Sequence, residues 1–151
     1  MRKRRSIGAL VALLLLALGC NHPSSRYPTL LAAEEQGAIS RGWIPDFLPP
    51  SSREIVEAHD LDTNEVWGRF EFAAHDLGPF LDRIRALEVD MVGDERIRAP
   101  RGAAWWPPEL RDVVFRDSSL RFKRRAVRYH GLLYLLIDEE DGMAFFYGAA
   151  Q

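Results

Sequence analysis

The chain has 151 residues, 47% of them apolar and 28% charged, with one cysteine and a formal net charge of -2. That length and apolar share suffice for one domain with a real core and exclude wholesale disorder. A single cysteine excludes an intramolecular disulfide and a Cys-rich zinc site, and no long basic tail marks a nucleic-acid binder.

The chain opens with the basic run Met1-Arg2-Lys3-Arg4-Arg5, continues as 13 apolar or small residues from Ile7 to Gly19, and reaches Cys20. A basic segment, a short apolar stretch and small residues before a cut have the form of an export signal over residues 1–19. Crossing a bilayer takes about 20 helical residues, so the stretch is too short for a permanent span. Leu16-Ala17-Leu18-Gly19-Cys20 resembles the lipobox of bacterial lipoproteins. The resemblance implies a diacylglyceryl thioether on Cys20, cleavage before it and N-acylation; the competing reading is an ordinary secretory signal with a chance cysteine. Several acyl chains on one residue anchor a protein stably, at about 0.8 kcal/mol per buried methylene. Asn21 follows, not the Asp that resembles an inner-membrane retention signal, so the expected location is the periplasmic face of the outer membrane.

The signal holds four of the 20 basic residues and none of the 22 acidic ones, so the remainder carries 16 against 22, a net charge of -6. An acidic body is repelled by nucleic acid, and none is expected as partner. The expected partners are the membrane, through Cys20, and another envelope protein. Composition leaves the oligomeric state open.

Residues 20–27 read as a polar tether and 28–151 as one domain. Residues 28–41 are rich in helix formers, with Pro28 in the first turn and Gly42 as the stop. Residues 43–50 hold three prolines and read as an extended strip that lays Trp43, Phe47 and Leu48 on the body. Residues 54–61 and 66–72 flank Asp62-Thr63-Asn64-Glu65 and form a predicted hairpin, with Asn64 suited to a left-handed turn position. If Leu61 pairs with Val66, then Ile55, Glu57, His59 and Leu61 share the core face with Val66, Gly68, Phe70 and Phe72; a one-residue slip would reverse this. Leu77, Phe80, Leu81, Ile84 and Leu87 recur at helical spacing, predicting an amphipathic helix over 76–88 with Asp76 as N-cap. Residues 89–119 read mostly as loop, with a possible helical turn at 109–112. Residues 132–137 and 143–150 flank an acidic turn ending in Gly142 and form a second hairpin, apolar on both faces. The expected fold is α+β: a four-stranded antiparallel sheet from two hairpins, with the amphipathic helix on one face and the N-terminal helix and strip on the other.

The string Ala38-Ile39-Ser40-Arg41-Gly42-Trp43-Ile44-Pro45-Asp46-Phe47-Leu48-Pro49-Pro50-Ser51-Ser52, followed by Ile55, His59-Asp60-Leu61-Asp62-Thr63-Asn64 and Arg69-Phe70, is similar to the YbbD head domain-like family of small bacterial proteins. The likeness is good over residues 28–72 and weaker over 132–148, where Ile137-Asp138 to Gly142 and Phe145-Phe146-Tyr147 resemble the family's ending. It implies a fold and no activity.

Four groups of residues carry candidate chemistry. Asp60, Asp62, Asn64 and Glu71 match calcium-loop positions 1, 3, 5 and 12, but Glu65 stands where the sharp turn needs Gly and the flanks alternate as strands do. The simpler reading is a turn whose side chains bond their own backbone. Glu57 and His59 could form a carboxylate-oriented imidazole with Ser51 or Ser52 as distant nucleophile; no recognised nucleophile or phosphate motif accompanies them, and a structural histidine explains them more simply. Arg121, Lys123, Arg124, Arg125 and Arg128 form a basic run for a phosphate-bearing or acidic partner, or a run neutralised by Glu54, Glu57, Asp60, Asp62 and Glu65 of the first hairpin. Trp105 and Trp106 are either an exposed recognition surface or a seal on the sheet. No cofactor and no metal is expected. The leading reading is a non-enzymatic adaptor or binding domain; a small hydrolase built on His59 and a ligand- or calcium-binding domain are the alternatives. A ligand-binding domain would show a closed apolar pocket against the second hairpin.

Overall fold

The computed structural model describes residues 22–90 and 93–149; the signal segment and Cys20 lie outside them. The architecture is mixed α and β, dominated by one antiparallel sheet of six strands in the order β1-β2-β3-β8-β7-β6. These are β1 (Ser24–Thr29), β2 (Arg53–Asp60), β3 (Glu65–Glu71), β6 (Lys123–Arg128), β7 (Leu132–Asp138) and β8 (Met143–Ala149), with β4 (Arg96–Ile97) and β5 (Val113–Val114) forming a separate two-stranded ribbon. Six strands replace the expected four because each margin of the sheet adds a strand of mostly polar sequence. The predicted tether is β1 from Ser24 onward, pairing with β2 from Ser24↔Ala58 to Thr29↔Arg53. The basic run is β6, pairing with β7 from Lys123↔Ile137 to Arg128↔Leu132.

The two hairpins form as expected. In the first, Asp60 pairs with Glu65, His59 with Val66 and Glu57 with Gly68, so the turn spans residues 61–64 and Asn64 takes a left-handed φ of 54°. This pairing is offset by two residues from Leu61↔Val66, and an offset of two preserves the faces, so Glu57 and His59 do point to the side of Val66, Gly68 and Phe70. In the second hairpin Asp138 pairs with Met143, and Gly142 sits at φ 59°.

The first helix runs only from Leu30 to Glu35, with the Thr29 hydroxyl accepting from the Ala32 N–H at 3.2 Å. Gly37, at φ 74°, ends it in a left-handed turn well before Gly42. A 3-10 turn (Ala74–Asp76) leads into the second helix (Leu77–Arg85), which buries Phe80 and Ile84 as its spacing dictates. Asp76 does not cap it with its side chain; the carboxylate accepts from the Ser51 N–H at 3.1 Å instead.

Both helices and the proline strip cover the same face, where Ala33, Ile44, Phe47, Leu48, Phe80 and Ile84 pack on Ile55, Phe70, Leu133, Leu135, Ile137 and Phe146. The helices were expected on opposite faces. The other face is covered instead by the long segment between the second helix and β6, which brings Ile97, Trp106, Leu110, Phe115 and Phe122 onto Trp67, Tyr134, Leu136, Phe145 and Tyr147. That segment supplies its own large apolar residues, so the second face needs no helix.

Candidate functional site

The end of the sheet that carries the 61–64 turn holds a cleft of about 330 Å³. Its walls come from the turn after the first helix (Arg41, Gly42, Trp43), the first hairpin (His59, Asp60, Asn64, Val66) and the second hairpin (Leu132, Leu133, Phe146). The cleft is not the closed apolar pocket expected of a ligand-binding domain, although it does lie against the second hairpin, and polar groups share its lining.

Its organising feature is a stack. The Trp43 indole lies on the His59 imidazole with centroids 3.8 Å apart and planes 13° apart, and the Arg41 guanidinium carbon lies 4.2 Å from the Trp43 ring centroid. Below the stack, His59 Nδ1 and Glu57 Oε2 share a hydrogen bond of 3.0 Å. Glu57 is fully buried at 0% exposure, and its Oε1 has no hydrogen-bond partner among the described residues. A buried carboxylate with one oxygen unanswered costs more than a paired one. Gly148 keeps the floor open: a Cβ there would stand 2.9 Å from Leu133 and 3.0 Å from Val66.

A second histidine pair sits on the other face of the same strand end. His22 Nδ1 accepts from the Arg101 N–H at 3.1 Å, its Nε2 reaches Asp60 Oδ2 at 3.2 Å, and its ring stacks on Trp67 at 4.7 Å. The backbone N–H groups of Asp62 and Thr63 also donate to Asp60 Oδ1, and these bonds, ahead of the nearby His22, hold the Asp60 carboxyl below the usual carboxylate range. Burial, and then the hydrogen bond it donates to Glu65 at 2.8 Å, push the Tyr147 hydroxyl well above its ordinary pKa.

The remaining candidates are dispersed. Asp60 and Glu71 stand at opposite ends of the first hairpin, and Glu71 is held by Arg69 at 2.8 Å and Arg53 at 3.3 Å, so the calcium-loop spacing does not converge. Asp62 is exposed beyond them, and no cluster of three metal-ligating side chains exists among the described residues. Asp60 and Asn64 line the cleft as single polar groups. Neither proposed nucleophile reaches His59: the Ser51 hydroxyl accepts from the Ala73 N–H at 2.9 Å, and Ser52 is buried outside the cleft.

Trp106 is fully buried, donates to the Leu110 carbonyl at 2.9 Å and packs against Phe145, so it seals the sheet and offers no indole to a partner. Trp105 is half-buried and donates to Ser24 Oγ at 3.2 Å. The basic run is largely answered. Arg121 meets Asp138, Glu109 and Asp141; Lys123 meets Glu139 at 2.7 Å; Arg125 meets Glu88 at 2.7 Å; Arg124 donates to the carbonyls of Phe115 and Asp117. These acids are not those of the first hairpin, because β6 lies at the opposite margin of the sheet from β2. Arg128 alone of the run is exposed and without an ion pair among the described residues.

Sequence reasoning placed Glu57 and His59 together but missed Arg41 and Trp43 as their neighbours and His22 as the partner of Asp60. Strand parity reveals residues two apart; nothing local reveals which distant ring will lie on them. Residues 22–71 match the family model of the YbbD head domain, a stretch that includes β1, the first helix, the proline strip and the first hairpin. The resemblance read from the strip and the hairpin is therefore shown over this part of the chain. No curated protein and no solved structure matches the chain.

Proposed function

We propose that the chain is a lipid-anchored binding domain of the bacterial cell envelope, held by acyl chains on Cys20 at the periplasmic face of the outer membrane, with a ligand that enters the cleft beside Trp43. The observation that carries the binding reading is Glu57, fully buried with one oxygen unpartnered directly beneath a cleft-lining histidine. A half-satisfied buried carboxylate lowers folding stability, and such groups concentrate where a site needs them. With Trp106 buried and most of the basic run in ion pairs, the cleft replaces those surfaces as the place where an adaptor would meet its partner. The anchor rests on the lipobox-like ending at Cys20, and the envelope location follows from it.

The Glu57–His59 hydrogen bond also favours a second reading, in which His59 acts as general base on a bound water. The cleft's own hydroxyl at Ser40 donates to the Gly37 carbonyl at 3.0 Å, away from that role.

Two measurements test the proposal. Cys20→Ala should abolish palmitate labelling and release the domain from membranes; retention in the membrane fraction sinks the anchor. Anilinonaphthalene sulfonate, an amphipathic dye, should bind the mature domain saturably, and Trp43→Ala and Gly148→Val should each weaken it about tenfold. Dye binding that ignores both substitutions removes the cleft as a binding site.

A further inference from the structure

The structure leaves almost no chain between the proposed anchor and the folded body. Ser24 is already in β1, and His22 is clamped in front of it: its backbone N–H donates to the Arg101 carbonyl at 3.1 Å, its ring accepts from the Arg101 N–H, pairs with Asp60 and stacks on Trp67. Only Asn21 separates His22 from Cys20. Two residue steps span at most about 7 Å, so an acylated Cys20 lies within that distance of His22. A lipid attached so closely to a rigid body selects which end of that body meets the bilayer.

That end is the one carrying the 61–64 turn. Register places Asp60, Glu65, Ala149, Leu132 and Arg128 in one row across the sheet, and the opposite row holds Arg53, Glu71, Met143 and Asp138. The two ends differ in charge. Arg41, Arg98, Arg101 and Arg128 are exposed at the first, against one exposed acid in the turn, Asp62; Asp60 there is paired with His22, and the buried Glu65 lies 3.7 Å from Arg98. Glu139, Glu140 and Asp141 are exposed at the second, in the turn between β7 and β8, where the cations Arg53 and Arg121 are held by Glu71 and by Asp138 and Asp141. Strands of this length separate the rows by about 20 Å. The field of an anionic surface falls off over about 8 Å at physiological ionic strength, so it attracts the near cations and barely touches the far acids. At the apex of the same end, Leu61 is 72% exposed, one of only two large apolar side chains left exposed among the described residues.

We propose that the domain stands end-on on an anionic lipid surface, with Leu61 in the headgroup layer, Arg41, Arg98, Arg101 and Arg128 facing lipid phosphates, and the mouth of the cleft opening beside the bilayer. The inference rests on the anchored reading of Cys20 and adds an orientation to it. The cleft is lined by Arg41, Asp60, Leu61 and Asn64 from this same end, so a ligand reaches it along the membrane surface.

The test uses the acylated protein reconstituted in vesicles of phosphatidylethanolamine and phosphatidylglycerol. An environment-sensitive fluorophore is placed on Leu61→Cys or, as the distal control, on Glu140→Cys; Cys20 is blocked by its own thioether. Headgroup nitroxide lipids should quench the probe at position 61 at least threefold more than the probe at 140. Arg101→Glu combined with Arg128→Glu should cut the quenching at 61 about twofold or more while the protein still floats with the vesicles. Equal quenching at both positions in acylated protein overturns the orientation alone. Absence of acyl mass on Cys20 overturns the anchored reading and this inference with it.

Discussion

Phe146 lies with its ring over Gly68, so close that a Cβ on Gly68 would meet the ring at 1.9 Å. The two residues face each other across β3 and β8, and the row continues to Glu57 on one side and Leu135 on the other. The missing side chain at Gly68 is the space that the ring occupies, and the ring in turn helps to line the cleft.

Gly68→Ala should therefore destabilise the fold by about 1–3 kcal/mol, the range for overpacking a filled core. Urea denaturation measures it. Combined with Phe146→Leu, the loss should be smaller than the sum of the two single changes, because the smaller side chain vacates the clash; strict additivity would show that the two residues do not share the space.

Replacing Glu57 separates a structural role from a functional one. Glu57→Leu removes a buried carboxyl group with an unanswered oxygen and leaves His59, whose side chain is only 15% exposed, without its hydrogen-bond partner. The first effect offsets the second, so stability should be unchanged or raised by about 1 kcal/mol, while dye binding in the cleft falls. A loss of about 3 kcal/mol or more would identify the pair as scaffolding.

The two neighbouring indoles should behave differently. Trp106→Ala removes a fully buried ring and orphans the Leu110 carbonyl, and should cost about 3–5 kcal/mol in chemical denaturation. Trp105 is half-buried and holds only an exposed hydrogen bond to Ser24, so Trp105→Ala should cost about 1 kcal/mol. Equal losses would mean that the segment does not seal the sheet in the way described.

Acid should loosen the junction between the proline strip and the second helix. The hydroxyl and N–H of Ser51 hold the Asp76 carboxyl below its ordinary value of 3.8. A folded-state pKa below the unfolded one contributes stability that is present above about pH 4 and is lost as pH falls through the folded value. Asp76→Asn should flatten that part of the pH–stability curve below pH 4 and leave the neutral side of the curve with the same shape. An unchanged acid limb would place the titration elsewhere.

Much of the fold is written in local pattern. Leu77, Phe80, Leu81, Ile84 and Leu87 announce a helix, and the alternation of Ile55, Glu57 and His59 fixes a face even where the pairing is offset by two. The marginal strands were not legible for a physical reason. β1 reads Ser-Ser-Arg-Tyr-Pro-Thr and buries only Tyr27, and β6 reads Lys-Arg-Arg-Ala-Val-Arg. A strand at a margin needs little apolar surface and tolerates charge, so its sequence resembles a loop or a cationic patch. The helices pack on one face because the long connecting segment covers the other, and its apolar residues, Ile97, Trp106, Leu110, Phe115 and Phe122, follow no period that marks them as a covering layer. In the site, parity brought Glu57 to His59, whereas the Trp43 ring arrives by a chain reversal after Gly42 that no spacing encodes.

The two margins of the sheet are finished differently. Along β6, Leu87 and Val89 continue the hydrogen bonding, through Arg128 N–H to the Leu87 carbonyl and Val89 N–H to the Ala126 carbonyl, both at 2.9 Å, so that side is closed. Among the described residues, β1 has only β2 beside it. Pro28 interrupts the pairing with β2 between Tyr27 and Thr29, so its missing N–H does not blunt the outer rim; the charge on Arg26 is what opposes pairing there with an identical copy. Copies that meet along this rim bring like charges together, so one arginine in a six-residue strand opposes their zipping into continuous ribbons.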